Sequence, residues 1–338
     1  MRKLIIYIII TVFTCNIHSR TWSEDILGNG YKATTIVMPE DYSGKVISTL
    51  IKKTCAQSSV KSILYIHGYN DYFFQKEMGD TFCKHGYNFY AIDLRKYGRS
   101  ILPGQKKFET RNLTEYFSDI DSALSIIKSE RNKDIILMGH STGGLIAAYY
   151  MVKVKNPTHT IKALILNSPF MDMNLDDTQE KYLLPMISTA SRLLPSIEID
   201  QNSNDAYAQS LMKNHHGEWE YNTHWKMPLS PAVTTGWLGA IHKAQTELQK
   251  GTNIKVPILL MRSGKSVDGN KWNPEFNTGD AVLDVEEISV YGRKLGLKVQ
   301  ELVVKDGLHD LFLSRKPVRK ALYTYIFNWL DKNIIAAQ

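Results

Sequence analysis

Six short apolar runs punctuate this sequence: Ser62–His67, Asn88–Asp93, Ile135–Met138, Lys162–Asn167, Val256–Met261 and Lys298–Val304. The central four are apolar almost throughout, as strands covered on both faces must be. The stretches between them carry helical spacing. Leu113, Tyr116, Phe117, Ile120, Ala123, Leu124 and Ile127 recur three and four residues apart, and the segment from Lys316 to Ile334 has the same character. Ahead of these units, Ala33–Met38 and Val46–Lys52 flank "PEDYSG" and read as a hairpin. The alternation predicts an α/β fold, a mostly parallel central sheet with helices on both faces.

One stretch breaks the rhythm. From Phe170 to about Gly251 no strand-like run appears; four prolines interrupt it (Pro185, Pro195, Pro228, Pro231) and three tryptophans enrich it (Trp219, Trp225, Trp237). An insertion there, residues 170–251, reads as a helical cap over the sheet's carboxyl edge, where ligands of such sheets bind. The domain containing it is predicted to span residues 24–338. At 338 residues and 43% hydrophobic, the chain can bury a sizeable core.

The run Asp134–Val154 reads "DIILMGHSTGGLIAAYYMVKV". Its centre is a G-x-S-x-G pentapeptide, Gly139 to Gly143. Chance alone supplies such a pentapeptide in about one chain in ten of this composition. Context raises its weight, because a buried strand before it and a helix after it are what a nucleophile elbow requires. Glycines permit the tight turn, and the helix N-terminus behind Ser141 suits a developing oxyanion.

A serine hydroxyl needs a base, and the base needs an orienting acid. Of 10 histidines, His309 follows the last strand in "VVKDGLHDLFLS", at the same edge as Ser141. His67 reads as a turn-shaping residue, and His140 lies inside the elbow. His215, His216 and His224 fall in the cap at no usual metal-ligand spacing and read as surface. The acid should follow the strand ending near Met261. Asp280 is the first choice; Asp268 sits in a "VDGN" turn and Asp284 is placed to cap a helix, roles that explain them without chemistry. The oxyanion donors predicted are the backbone N–H groups of Thr142 and of Tyr69 in "HGYND". This chemistry calls for no metal or organic cofactor.

With these pieces placed, the chain resembles the α/β-hydrolase fold, and within it the monoacylglycerol lipase and lysophospholipase group, also grouped with serine aminopeptidase proteins of the S33 type. The matching pieces are "LYIHGYND", "AIDLRKYGRS", "GHSTGG", "LNSPF", "GDAVLD" and "DGLHDLFLS", in family order from about residue 60 to 315. Two departures stand out. Lys96 replaces the first glycine of the family's Asp-x-Arg-Gly-x-Gly-x-Ser loop. After Met261, Ser266 stands where relatives carry the acid, and an insertion delays the aspartate. The resemblance implies a serine carboxylester hydrolase acting on a single-chain lipid or other apolar ester. The competing readings are a serine peptidase or amidase and a non-catalytic binding module. A peptidase needs a carboxylate for a free amino terminus, for which the cap offers Glu180, Glu198, Glu218 and Glu220.

The N-terminus, "MRKLIIYIIITVFTCNIHSR", couples two basic residues to an apolar stretch too short to span a bilayer. It reads as a secretory signal over residues 1–19, with lipid attachment at Cys15 as the alternative. Export would place Cys55 and Cys83 in an oxidising compartment, either paired or as separate thiols. The net charge of +7 is scattered, which argues against nucleic-acid binding and allows a peripheral membrane contact.

Overall fold

The computed structural model describes residues 21–335 apart from 156, 158–159, 174–185, 188 and 202–203. The leader with Cys15, and Glu180 of the cap, lie outside the described residues.

The strands are β1 (Ser23–Glu24), β2 (Lys32–Asp41), β3 (Gly44–Lys53), β4 (Lys61–Ile66), β5 (Asn88–Asp93), β6 (Asp134–His140), β7 (Ile161–Asn167), β8 (Glu198–Ile199), β9 (Val233–Thr234), β10 (Ile258–Ser263) and β11 (Val299–Val304). Nine of them form one sheet in the order β1-β2-β3-β5-β4-β6-β7-β10-β11. The first three are antiparallel, and β5 through β11 in that order are parallel. Carboxyl ends of the parallel strands therefore share one edge.

Among the described residues the helices include α1 (Lys76–Lys84), α2 (Phe117–Ser129), α3 (Thr142–Lys153), α4 (Ala206–Leu211), α5 (Thr235–Gln249), α6 (Val285–Gly292) and α7 (Lys316–Leu330). Strand side chains divide between two apolar layers with a period of two. On β6, Ile135 and Leu137 join α2, α3 and α5, whereas Ile136 and Met138 join α1 and α7. That two-sided burial is why the central runs are apolar almost throughout, with polar residues at their ends. Helix α2 begins after a 3₁₀ turn, Leu113–Tyr116, started by a capping box in which Asn112 and Glu115 satisfy each other's backbone N–H.

Three readings need correction. The hairpin strands run into "PEDYSG" as far as Asp41 and resume at Gly44, leaving Tyr42–Ser43 as the turn; Asp41 accepts from the Ser43 N–H at 2.7 Å and Gly44 takes φ 85°. The fifth run begins its ladder at Ile258, after a proline that has no N–H to give, and continues through Ser263 beside Val304. Polar Arg262 is tolerated there because Glu301 takes its Nε–H at 2.6 Å. Between Phe170 and Gly251, β8 and β9 pair as a short antiparallel ribbon. Helix α5 at the end of that stretch belongs to the sheet layer, burying Trp237, Ala240, Ile241, Ala244 and Leu248 in the same cluster as α3.

Candidate active site

The elbow sits at the carboxyl end of β6. Ser141 takes φ 52° and ψ −120°, a conformation L-residues rarely adopt. Close packing of the turn imposes it. A Cβ on Gly139 would fall 2.3 Å from the Gly143 carbonyl oxygen, and a Cβ on Gly143 would fall 2.3 Å from the His67 oxygen. Only glycine fits at either position. The turn is pinned to the next strand, for the Ser141 N–H donates to the Asn167 carbonyl at 3.0 Å and the Ser141 carbonyl accepts from Phe170 N–H at 3.1 Å.

His309 arrives in the loop after β11. Its Nδ1 lies 2.9 Å from Asp280 Oδ2, with both side chains buried. The other Asp280 oxygen accepts the backbone N–H groups of Val282 and Leu283, each at 2.9 Å. With Oδ1 committed to backbone, Oδ2 is placed to accept a hydrogen bond from an Nδ1–H, the tautomer that leaves Nε2 as the ring's proton acceptor. Asp268 and Asp284 are not brought to His309. Asp268 is exposed on the cavity lining, and Asp284 caps α6 through the Glu286 N–H at 2.7 Å.

Ser266 helps to hold the loop that carries Asp280. Its hydroxyl donates to the Leu283 carbonyl at 3.2 Å and accepts the Val285 N–H at 2.9 Å. The Asp280 N–H donates to Lys265 and the Asp280 carbonyl accepts from Val267. The inserted loop thus returns and lays Asp280 beside the end of β10. Lys96 replaces glycine at φ 64° and keeps that strained backbone through a buried ammonium 3.0 Å from Asp41 and 4.2 Å from the Tyr42 ring centre. The loop it belongs to is structural. Asp93 accepts the Phe73 N–H at 2.9 Å and the Arg99 guanidinium at 2.8 Å, fixing the segment that carries "HGYND".

Ser141, His309, Tyr69 and Thr142 line one cavity of about 480 Å³. The loop bearing Tyr69 passes tight against the elbow, since a Cβ on Gly68 would come within 3.2 Å of Ser141 Cβ. Phe170 and Trp237 stack 6.3 Å apart on its wall, with Tyr69 4.7 Å from Trp237. Gln201, Asn204 and Asn270 line it with carboxamides. The other two cap tryptophans serve docking: Trp219 packs on Phe74 and donates to the Leu313 carbonyl at 2.8 Å, and Trp225 packs on Tyr72.

Several residues at this edge escaped the sequence reading. Asn167 joins the two halves of the site: its carbonyl takes the Ser141 N–H, while its side chain donates to Asp310 at 2.8 Å and accepts the Leu311 N–H at 3.2 Å. Asp310 also accepts from Gln75 at 3.1 Å and caps the turn after His309. Asp71 is buried and 3.0 Å from Lys226 Nζ. Burial pushes its carboxyl up, but the Lys226 ammonium, together with the neighbouring His140 and His67, outweighs this and holds it below the usual range. His140 is fully enclosed, and burial pushes its imidazole down to about 4, so it stays neutral at pH 7. His67 does shape its turn, accepting the Leu94 N–H at 3.1 Å.

Asp71, His140 and Asp310 bring donor atoms within 4.8 Å of one another, the one such group among the described residues. Their arrangement disfavours a cation, because Asp310 already accepts three hydrogen bonds and a lysine ammonium faces Asp71. The cap histidines His215, His216 and His224 are exposed, with His216 stacked on Trp272. Cys55 and Cys83 are separate thiols, each donating to an oxygen.

Residues 57–267, more than half of the chain, match the family model described as serine aminopeptidase, S33. The chain belongs to this family of α/β-hydrolases. The match ends before Asp280 and His309. A curated relative, the AB hydrolase superfamily protein YisY of Bacillus subtilis (strain 168), is 30% identical over 95 residues, 28% of this chain and 32% of its own. The matched part thus spans about a third of that relative's length. Among solved structures, a soluble variant of monoglyceride lipase from Saccharomyces cerevisiae, in complex with a substrate analogue, superposes with a TM-score of 0.62 at 17% identity. It covers 88% of this chain and 94% of that one. The Paleococcus ferrophilus monoacylglycerol lipase gives 0.57 at 16% identity, covering 84% and 99%. The Pyrococcus furiosus esterase Pf2001 gives 0.52 at 19%, covering 90% and 93%. At such identities these likenesses bear on fold. Together with the family match they support the α/β-hydrolase fold for this chain.

Proposed function

We propose that this hydrolase is a serine carboxylester hydrolase working through Ser141, His309 and Asp280. The observation that carries the reading is the Asp280–His309 hydrogen bond, in a cavity whose lining includes a serine held on a strained elbow. Ser141 Oγ attacks the ester carbonyl while His309 Nε2 takes its proton. Asp280 stabilises the imidazolium and holds its tautomer. The backbone N–H groups of Tyr69 and Thr142 receive the oxyanion, each contributing roughly 3 kcal/mol to the transition state. His309 then protonates the departing alcohol, and water releases the acid from the acyl-enzyme. No step calls on a cofactor. The wall of Phe170 and Trp237 suits the acyl part of a single-chain lipid or other apolar ester. The carboxamides suit a polar alcohol part.

A panel of p-nitrophenyl esters from acetate to palmitate, alongside aminoacyl and prolyl anilides, tests the assignment. Ester turnover abolished in Ser141→Ala is the expected result. A second reading, peptide or amide hydrolysis, draws on Asp268, the one carboxylate lining the cavity among the described residues. Glu198, Glu218 and Glu220 are paired with Lys106, Arg319 and Lys213 and do not line it. Turnover of anilides alone would favour that reading. Tight ligand binding without turnover of either would favour a binding module.

The same proposal includes export by the N-terminal leader and action on esters presented at a membrane surface. Intact-mass measurement of the mature protein distinguishes cleavage after residue 19 from a lipid on Cys15.

A further inference from the structure

Four consecutive residues of the oxyanion loop are each hydrogen-bonded to the cap. Tyr69 Oη donates to the Ala232 carbonyl at 3.2 Å. Asn70 makes a reciprocal pair with Met227: its Nδ2 donates to the Met227 carbonyl and its Oδ1 accepts the Met227 N–H, both at 2.8 Å. Asp71 holds Lys226 at 3.0 Å, and Tyr72 Oη accepts the Asn222 N–H at 2.8 Å. Asn70 itself sits at φ 48°, a conformation that the reciprocal pair compensates. The backbone that presents the Tyr69 N–H is therefore fixed on one side by Gly68 against the elbow and on the other by the cap.

Taking the serine hydrolase reading above as given, we propose that the cap is a working part of the oxyanion hole, with Lys226 as a positioning residue that acts through Asp71 on the Tyr69 N–H. The Lys226–Asp71 pair is buried, so its geometry is not loosened by solvent as an exposed pair would be. A donor moved by a fraction of an ångström loses transition-state stabilisation and leaves substrate binding largely intact. The cap accordingly does more than shape the acyl pocket. Lifting residues 222–232 off the sheet edge would also dismantle the hole, so a cap-open molecule is catalytically silent.

The test compares Lys226→Met, Lys226→Arg and Tyr72→Phe with the unaltered protein. The readouts are kcat and KM on p-nitrophenyl butyrate, the inhibition constant of an alkyl trifluoromethyl ketone, and the thermal midpoint. The expected result for Lys226→Met is a fall in kcat of about 10- to 100-fold with KM changed less than about threefold. Affinity for the ketone, whose hemiketal oxyanion needs the same donors, should weaken in parallel. Lys226→Arg should recover most of both. Tyr72→Phe keeps the aromatic packing, loses one bond to the cap, and should show the same kcat-only pattern at smaller size even if Lys226→Met fails to fold. A rise in KM with kcat unchanged, or a lower thermal midpoint with both constants unchanged, would overturn the proposal. Ser141→Ala run in parallel separates the two claims. If it is inactive while the cap variants keep full kcat, the hydrolase reading stands and the positioning role falls. If it stays active, the hydrolase reading itself is wrong.

Discussion

Asp280 occupies a position where each carboxylate oxygen has a separate task, one serving the backbone of its own loop and the other His309. Asp280→Asn should therefore leave the loop folded but present an amide N–H or a weaker acceptor to Nδ1. We expect kcat to fall by about 10³- to 10⁴-fold with little change in KM. Asp284→Ala should keep kcat and cost about 1 kcal/mol of stability, the value of a helix cap, measured by urea unfolding. His140 makes a pH prediction. Its pKa is about 4 when folded against an ordinary 6.5, so the unfolded chain takes up the proton first as pH falls. The stability it contributes is complete above pH 6.5, is lost between 6.5 and 4, and amounts to a loss of about 2 kcal/mol between pH 7 and 5. Urea unfolding at those two pH values should show this slope in the unaltered protein and a shallower one in His140→Gln. At this scale Ser141 and His309 could be named as candidates, because glycine spacing and a place after a strand are local signals. Asp280 was legible only as the best of three. What brings Asp280 beside His309, the return of its loop onto Lys265 and Val267 beside Ser266, is tertiary.

The elements owe their legibility to burial. Strands covered on both faces have no solvent-facing positions, so β4, β5, β6 and β7 stood out as apolar runs. Leu137→Ala, in the middle of β6, should cost about 3 kcal/mol through the cavity it leaves, read from the denaturation midpoint. The edge strand β11 and the bounds of β10 were harder, because half-exposed or polar positions such as Arg262 dilute the pattern. The ribbon β8–β9 left no signal; each strand has two residues. The three cap tryptophans looked alike in sequence and differ in place. Trp237→Ala should raise KM for longer acyl esters more than for acetate, because Trp237 lines the cavity with Phe170. Trp219→Ala should instead lower the thermal midpoint, because Trp219 packs on Phe74 and its indole N–H donates to Leu313.

For the whole molecule, the parallel strands bring the candidate site residues to one edge, and the cap closes that edge into a cavity. The partners that hold this arrangement together are far apart in the chain; Asp71 ties the cap through Lys226 155 residues on, and Asn167 reaches Asp310 across 143. Neither pairing has a local signature, which is why the candidate chemistry could be read from the sequence while the framework that positions it could not. The most direct measurement of the central claim is labelling with an alkyl fluorophosphonate, followed by intact-mass and peptide mass spectrometry, in the unaltered protein and in His309→Ala. The account predicts one adduct per chain, on Ser141, with ester turnover lost in proportion to labelling and the rate of labelling strongly reduced in His309→Ala. An adduct on another residue, or full ester turnover after Ser141 is blocked, would contradict it.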